Sequence, residues 1–305
     1  MLSSLLIELE PLKALVSGWL VLLAAEAWDT ATLRRVRAVR RLPLILIPAL
    51  VIGGAAAAAW NASDRMVVAV LVGCASIALD PDAVRDLLGR ATRPDATARM
   101  APALATLALG FALILSAASS GDRSYRSLLA YPLGALMGLL LAGLLRLAQG
   151  RGMILTLLFA MPILGWGLAR YFDLSPLAAL FVAGTVVTDD PTRRDLVFSL
   201  LREYELPARI AMLILVAMSL PMSLEPFGTI PFWGILALLV LVRPLVWRLI
   251  PGTGLSLRQL LPLSPLVLLL GLEAGHAPLA LAISLSWILG EAARRAPNVT
   301  GGSPR

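Results

Sequence analysis

Apolar residues dominate this chain in long runs, interrupted at near-regular intervals by short polar stretches rich in arginine. About eleven runs stand out, over residues 12–28, 42–59, 66–79, 100–119, 129–147, 152–170, 175–188, 207–224, 229–249, 260–275 and 277–291. Most hold about 17–20 residues, which at about 1.5 Å rise per residue matches a hydrocarbon layer about 30 Å thick. The pattern predicts an all-α polytopic membrane protein with about eleven transmembrane helices. Runs 66–79 and 175–188 are shorter, about 21 Å as helices, and fall short of a comfortable crossing.

Those two short runs end alike. Leu79-Asp80-Pro81-Asp82 is followed by Arg85-Asp86-Leu87, and Asp189-Asp190-Pro191 by Arg194-Asp195-Leu196. Two readings of Asp80 follow. It is the N-cap of an aqueous helix with Pro81 at the first helical position, where a missing N–H costs nothing. Or it lies in a broken transmembrane helix, whose freed backbone and carboxylate hold a cation near mid-bilayer. Counted by alternation, both short runs point the same way, so the echo is not an inverted repeat. For Asp189 and Asp190 the simpler reading is a cap, followed by a charged amphipathic helix on the cytosolic surface.

Composition agrees with the pattern. With 305 residues, 59% of them hydrophobic, and a mean hydropathy of +0.85, the runs leave no soluble domain of useful size. One membrane domain over 1–297 and a disordered cytoplasmic tail over 298–305 account for the chain. The single Cys74 sits in an apolar run, which excludes a disulfide framework and argues against a metal site. The one histidine, His276, offers no basis for histidine catalysis. No Gly-rich phosphate loop, metal-spaced Cys/His cluster or nucleophile elbow is present, so neither an enzyme nor a cofactor is expected.

The net charge of +7 invites a nucleic-acid partner until its placement is considered. If the loops alternate and residues 29–42 are cytoplasmic, that side carries nineteen arginines and the other four: Arg65, Arg123, Arg126 and Arg170. This split predicts a multi-pass bacterial-type inner-membrane protein with its N-terminus outside and its C-terminus in the cytoplasm. Glu8 and Glu10 spoil any cleavable-signal pattern, so the first span is expected to stay.

Ionisable residues inside spans are costly and are functional candidates by default. Here they are Glu26, Asp80, Asp189, Asp190, Arg209, Arg243, Glu273 and His276. Glu26 stands beside Trp28 and Asp29, at the depth of an aromatic belt, and Arg209 is close enough to its span end to anchor at the headgroups. Arg243 lies deeper, five positions before Arg248, and Pro244 frees the carbonyl of Val240 as a polar neighbour.

With these residues in hand, the chain resembles the Kef-like monovalent cation:proton antiporters and the related sodium:proton exchangers. Ser175-Pro-Leu-Ala-Ala-Leu-Phe-Val-Ala-Gly184 and the linker after it resemble one family span, residues 201–223 the next, and residues 238–250 the one following. Ala25-Glu26-Ala27-Trp28-Asp29 with its arginine cluster resembles a conserved span end, and Leu79-Asp80-Pro81-Asp82-Ala83-Val84 the unwound crossing of the exchangers. The resemblance implies an inverted-repeat fold with two crossing broken helices, here without the first two of thirteen spans. It also implies a homodimer and competition between sodium or potassium and protons for carboxylates. Asp80 and Asp82 would be the ion- and proton-binding groups, Arg243 the charge-balancing group, and Asp189, Asp190 and Glu26 secondary candidates.

Two departures stand against this. The span over 100–119, where the family keeps its acidic motif, holds no carboxylate; Ala108 and Leu109 take that place, and Leu79 replaces the crossing threonine. The alternative function is therefore a degenerate, non-transporting antiporter fold acting as a membrane scaffold or partner subunit.

Overall fold

The structure is a computed structural model, and it describes residues 10–26, 28, 42–59, 68–69, 72–73, 75–76, 128–188, 194–219, 230–242 and 277–295. Among these residues every regular element is helical: α1 (Glu10–Ala25), α2 (Leu42–Ala59), α3 (Ala130–Leu147), α4 (Arg151–Tyr171), α5 (Pro176–Thr188), α6 (Arg194–Glu203), α7 (Glu205–Ser219), α8 (Ile230–Ala237) and α9 (Ala277–Arg295). Each of these helices except α6 lies on one of the apolar runs and, α8 apart, within a few residues of its expected ends; α8 takes only the first part of the run over 229–249. The runs over 100–119 and 260–275 lie outside the described residues, as does most of 66–79. Among the described helices, α3 and α4 are long and apolar enough to cross a membrane, while α5 is a shorter apolar helix.

Helix α5 is the centre of the bundle. It is apolar along its whole length, as a helix surrounded by protein must be, and α1, α3 and α4 enclose it. Its start explains the Ser-Pro pair. The Oγ of Ser175 accepts the Ala178 N–H at 3.4 Å while Pro176 takes the first helical position, where no N–H is needed.

Small residues set how close the neighbours come. Gly134 and Gly138 of α3, four apart, lie over Ala179 and Ala183 of α5, also four apart. A Cβ at Gly138 would stand 2.7 Å from the Ala183 carbonyl oxygen, so the two backbones approach as far as hydrogen permits. On another side, a Cβ at Gly184 would stand 2.5 Å from that of Ala25 on α1. The interior of α4 holds Pro162, and Gly18 of α1 makes room for its ring.

The turns fix direction. Helix α3 reverses into α4 over Ala148-Gln149-Gly150, where Gly150 adopts φ 98°, a value open to glycine. Helix α4 ends in a Schellman motif: the Leu174 N–H donates to the Ala169 carbonyl at 2.8 Å and the Asp173 N–H to that of Arg170 at 3.1 Å. At the left-handed position, where glycine is usual, stands Asp173 with φ 53°. Thus α1, α3 and α5 run one way and α4 the other. One end of the bundle carries Arg151, the other Arg170.

Helices α8 and α9 pack together, and α8 passes directly into a π-helical segment, Leu238–Val242. The π segment stands immediately before Arg243-Pro244 in sequence, the neighbourhood in which a proline disturbs the ordinary hydrogen-bond ladder.

Candidate functional site

Of the sequence candidates, Asp80, Asp82, Asp189, Asp190 and Arg243 lie outside the described residues, as do Glu273 and His276. Glu26 lies within them, and the polar groups gather around it at the Arg151 end.

Helix α1 ends just before Glu26, whose N–H reaches back to the Leu23 carbonyl at 3.1 Å; the Trp28 N–H reaches that of Ala25 at 2.9 Å. The Trp28 ring then closes edge-on against Phe181 of α5, 5.3 Å between centroids. At the end of α5, the buried Thr188 hydroxyl lies 2.8 Å from the Gly184 carbonyl oxygen and 3.2 Å from that of Ala25. Its single proton is shared between the last turn of α5 and the Ala25 carbonyl at the end of α1, which the Trp28 N–H also reaches.

Helix α6 closes this end. It is amphipathic: Val197, Phe198, Leu200 and Leu201 are buried, while Asp195, Ser199 and Arg202 are exposed. Three residue pairs fasten its C-terminal turn. The buried indole N–H of Trp19 donates to the Leu201 carbonyl at 2.9 Å, satisfying one carbonyl at the helix end. The guanidinium of Arg202 forks onto Glu26, with Nε 3.2 Å from Oε2 and Nη2 on Oε1. Glu203 pairs with Arg151 at the start of α4. Consecutive residues of opposite charge therefore reach two different helices. Beneath them Trp19, Phe159 and Tyr204 form an aromatic cluster, with centroids 4.8 to 6.1 Å apart.

Chemically, Glu26 is a partly buried carboxylate held by a planar two-point donor. A cation arriving at Glu26 must displace the guanidinium first. Among the described residues no group of three His, Cys, Asp or Glu side chains is placed to hold a metal ion. Arg209 pairs with Glu205 one turn earlier at 2.5 Å. The sequence reading had Glu26 as an interfacial group and Arg202 as a topology signal; it did not join them. The available signal was the Arg202-Glu203 pair at the end of an amphipathic stretch.

No family profile matches the chain, and no curated protein matches it in sequence.

Proposed function

We propose that the chain is an integral membrane protein with an antiporter-like, inverted-repeat arrangement of about eleven spans, exchanging a monovalent cation for protons. In this reading Asp80, with Asp82 beside it, carries the ion or proton, and Arg243 balances charge. A carboxylate exposed to alternate sides binds either a proton or a cation, and their competition is the coupling.

The observation that carries the proposal is α5. A 13-residue apolar helix, about 20 Å long, is enclosed by three neighbours and ends at a polar junction, followed in sequence by Asp189 and Asp190. A short interior helix ending in polar groups is the element expected of a transporter core rather than of a simple anchor. Arg151 and Arg202 share one end of the bundle with Glu26, and Lys13 and Arg170 share the other with Glu10. That grouping keeps Arg151 and Arg202 together and Arg170 apart from them, as alternation of the runs would require.

The test is pH-gradient-driven sodium or potassium exchange in proteoliposomes. Asp80→Asn should abolish it, whereas Glu26→Gln should leave most of it. Exchange by the Asp80→Asn protein at the wild-type rate would sink the transport reading.

A second reading, a non-transporting scaffold or partner subunit, is favoured by the pairing of charges. Glu10, Glu26, Glu203 and Glu205 each face a basic side chain, as expected of groups retained for architecture. A partner co-purifying in fixed ratio, with no stabilisation by sodium or potassium, would select it.

A further inference from the structure

At the Arg170 end, away from the Glu26 junction, a groove of about 540 Å³ opens between α3 and the turn joining α4 to α5. Leu133 and Leu136 form one wall; Tyr171, Phe172, Asp173 and Leu174 form the other. Among the described residues Asp173 is the only charged side chain lining it. The surroundings are otherwise apolar, with two exposed aromatic rings set edge to face at 5.1 Å immediately before the carboxylate.

Asp173 is an unexpected residue at this point. It occupies the left-handed position of the Schellman motif, which glycine fills without strain. Its backbone N–H is used in the turn, yet among the described residues its carboxylate takes part in no ion pair. The nearby Arg170 is engaged elsewhere, 3.7 Å from Glu10 and over the Trp166 ring. A carboxylate that the turn does not need therefore stands at the mouth of an apolar groove, beside aromatic faces that attract cations.

We propose that this groove binds amphiphilic organic cations. The apolar body would lie against Leu133 and Leu136, with the positive centre between Asp173 and the rings of Tyr171 and Phe172. A single carboxylate on an apolar lining selects against anions and against small hydrated cations, whose water shell this lining cannot replace.

Two near-isosteric probes of opposite charge test it: tetraphenylphosphonium and tetraphenylborate, in equilibrium dialysis against the purified full-length protein in nanodiscs. Empty nanodiscs give the lipid background. The expected result is saturable binding of one phosphonium per chain, with no saturable borate binding. Asp173→Asn should weaken phosphonium binding by about tenfold or more, since asparagine keeps the left-handed conformation and the shape but loses the charge. Asp173→Gly should weaken it equally while folding at least as well, because glycine suits the turn better. Equal binding of both probes would mean that the groove takes any apolar group, including a lipid chain, and would overturn the proposal. So would unchanged phosphonium affinity in the two Asp173 variants.

Discussion

Arg202 closes on Glu26 across 176 residues of chain, its Nε 3.2 Å from the Oε2 of the carboxylate. The guanidinium is more than half exposed and the carboxylate about one-fifth, so the pair lies at the rim of the bundle end rather than within it. Its geometry is two-pointed, and the preceding residue, Leu201, is already fixed by Trp19. The bond therefore locates α6 more than it stabilises the whole protein.

Removing one side of the pair should cost little in global stability, about 0.2–1 kcal/mol for an exposed ion pair. Arg202→Ala should lower the thermal midpoint of the purified protein slightly, and the swap Glu26→Arg with Arg202→Glu should restore most of the loss. A loss of several kcal/mol, or no rescue by the swap, would show that the bond does more than locate α6.

The indole N–H of Trp19 gives a cleaner test, because Trp19→Phe keeps an aromatic ring beside Phe159 and Tyr204 while deleting the donor to Leu201. The orphaned carbonyl predicts a cost of about 1–3 kcal/mol, beyond that of the smaller ring. Protease cleavage within α6 should accelerate in parallel. If cleavage is unchanged, the bond is not what holds α6 down.

Glycines at the α3–α5 contact should be intolerant of any side chain. Gly138→Val drives a branched group against the Ala183 carbonyl and predicts about 1–3 kcal/mol of overpacking, or a backbone shift of comparable cost. Gly143 of the same helix has open space around its missing Cβ, so Gly143→Val should be nearly neutral. Thermal stability in detergent distinguishes the two, and equal losses would refute the contact as described.

Thr188→Val preserves shape and removes the hydroxyl that joins the end of α5 to the Ala25 carbonyl. The expected loss is about 1 kcal/mol, the usual net worth of one buried hydrogen bond. Hydrogen exchange should rise at the last turns of α1 and α5 but not at the α4–α5 turn. A uniform rise along α5 would mean that the hydroxyl supports the whole helix rather than its end.

The apolar runs by themselves determined where most of the described helices lie, because helix formation in such a run is local: each N–H meets a carbonyl four residues back. They located α2, α3, α4 and α5 nearly to the residue, and the charge pattern after residue 190 was enough to expect a surface helix where α6 stands. The candidate site was far less legible. Glu26 stood out as a carboxylate, but nothing in its neighbourhood names Arg202, since an ion pair formed across 176 residues leaves no local trace.

Nor does hydropathy tell a lipid-facing helix from one buried in protein, both being apolar. The short run over 175–188 was read as too short to cross comfortably. Only packing made it the centre, through the close approach that Gly134, Gly138 and Gly184 allow. The sequence determined the helices; tertiary structure alone decided which one the others surround and which charges meet at its end. Backbone hydrogen bonding is settled within a few residues, whereas close packing and ion pairing are settled between segments far apart in the chain.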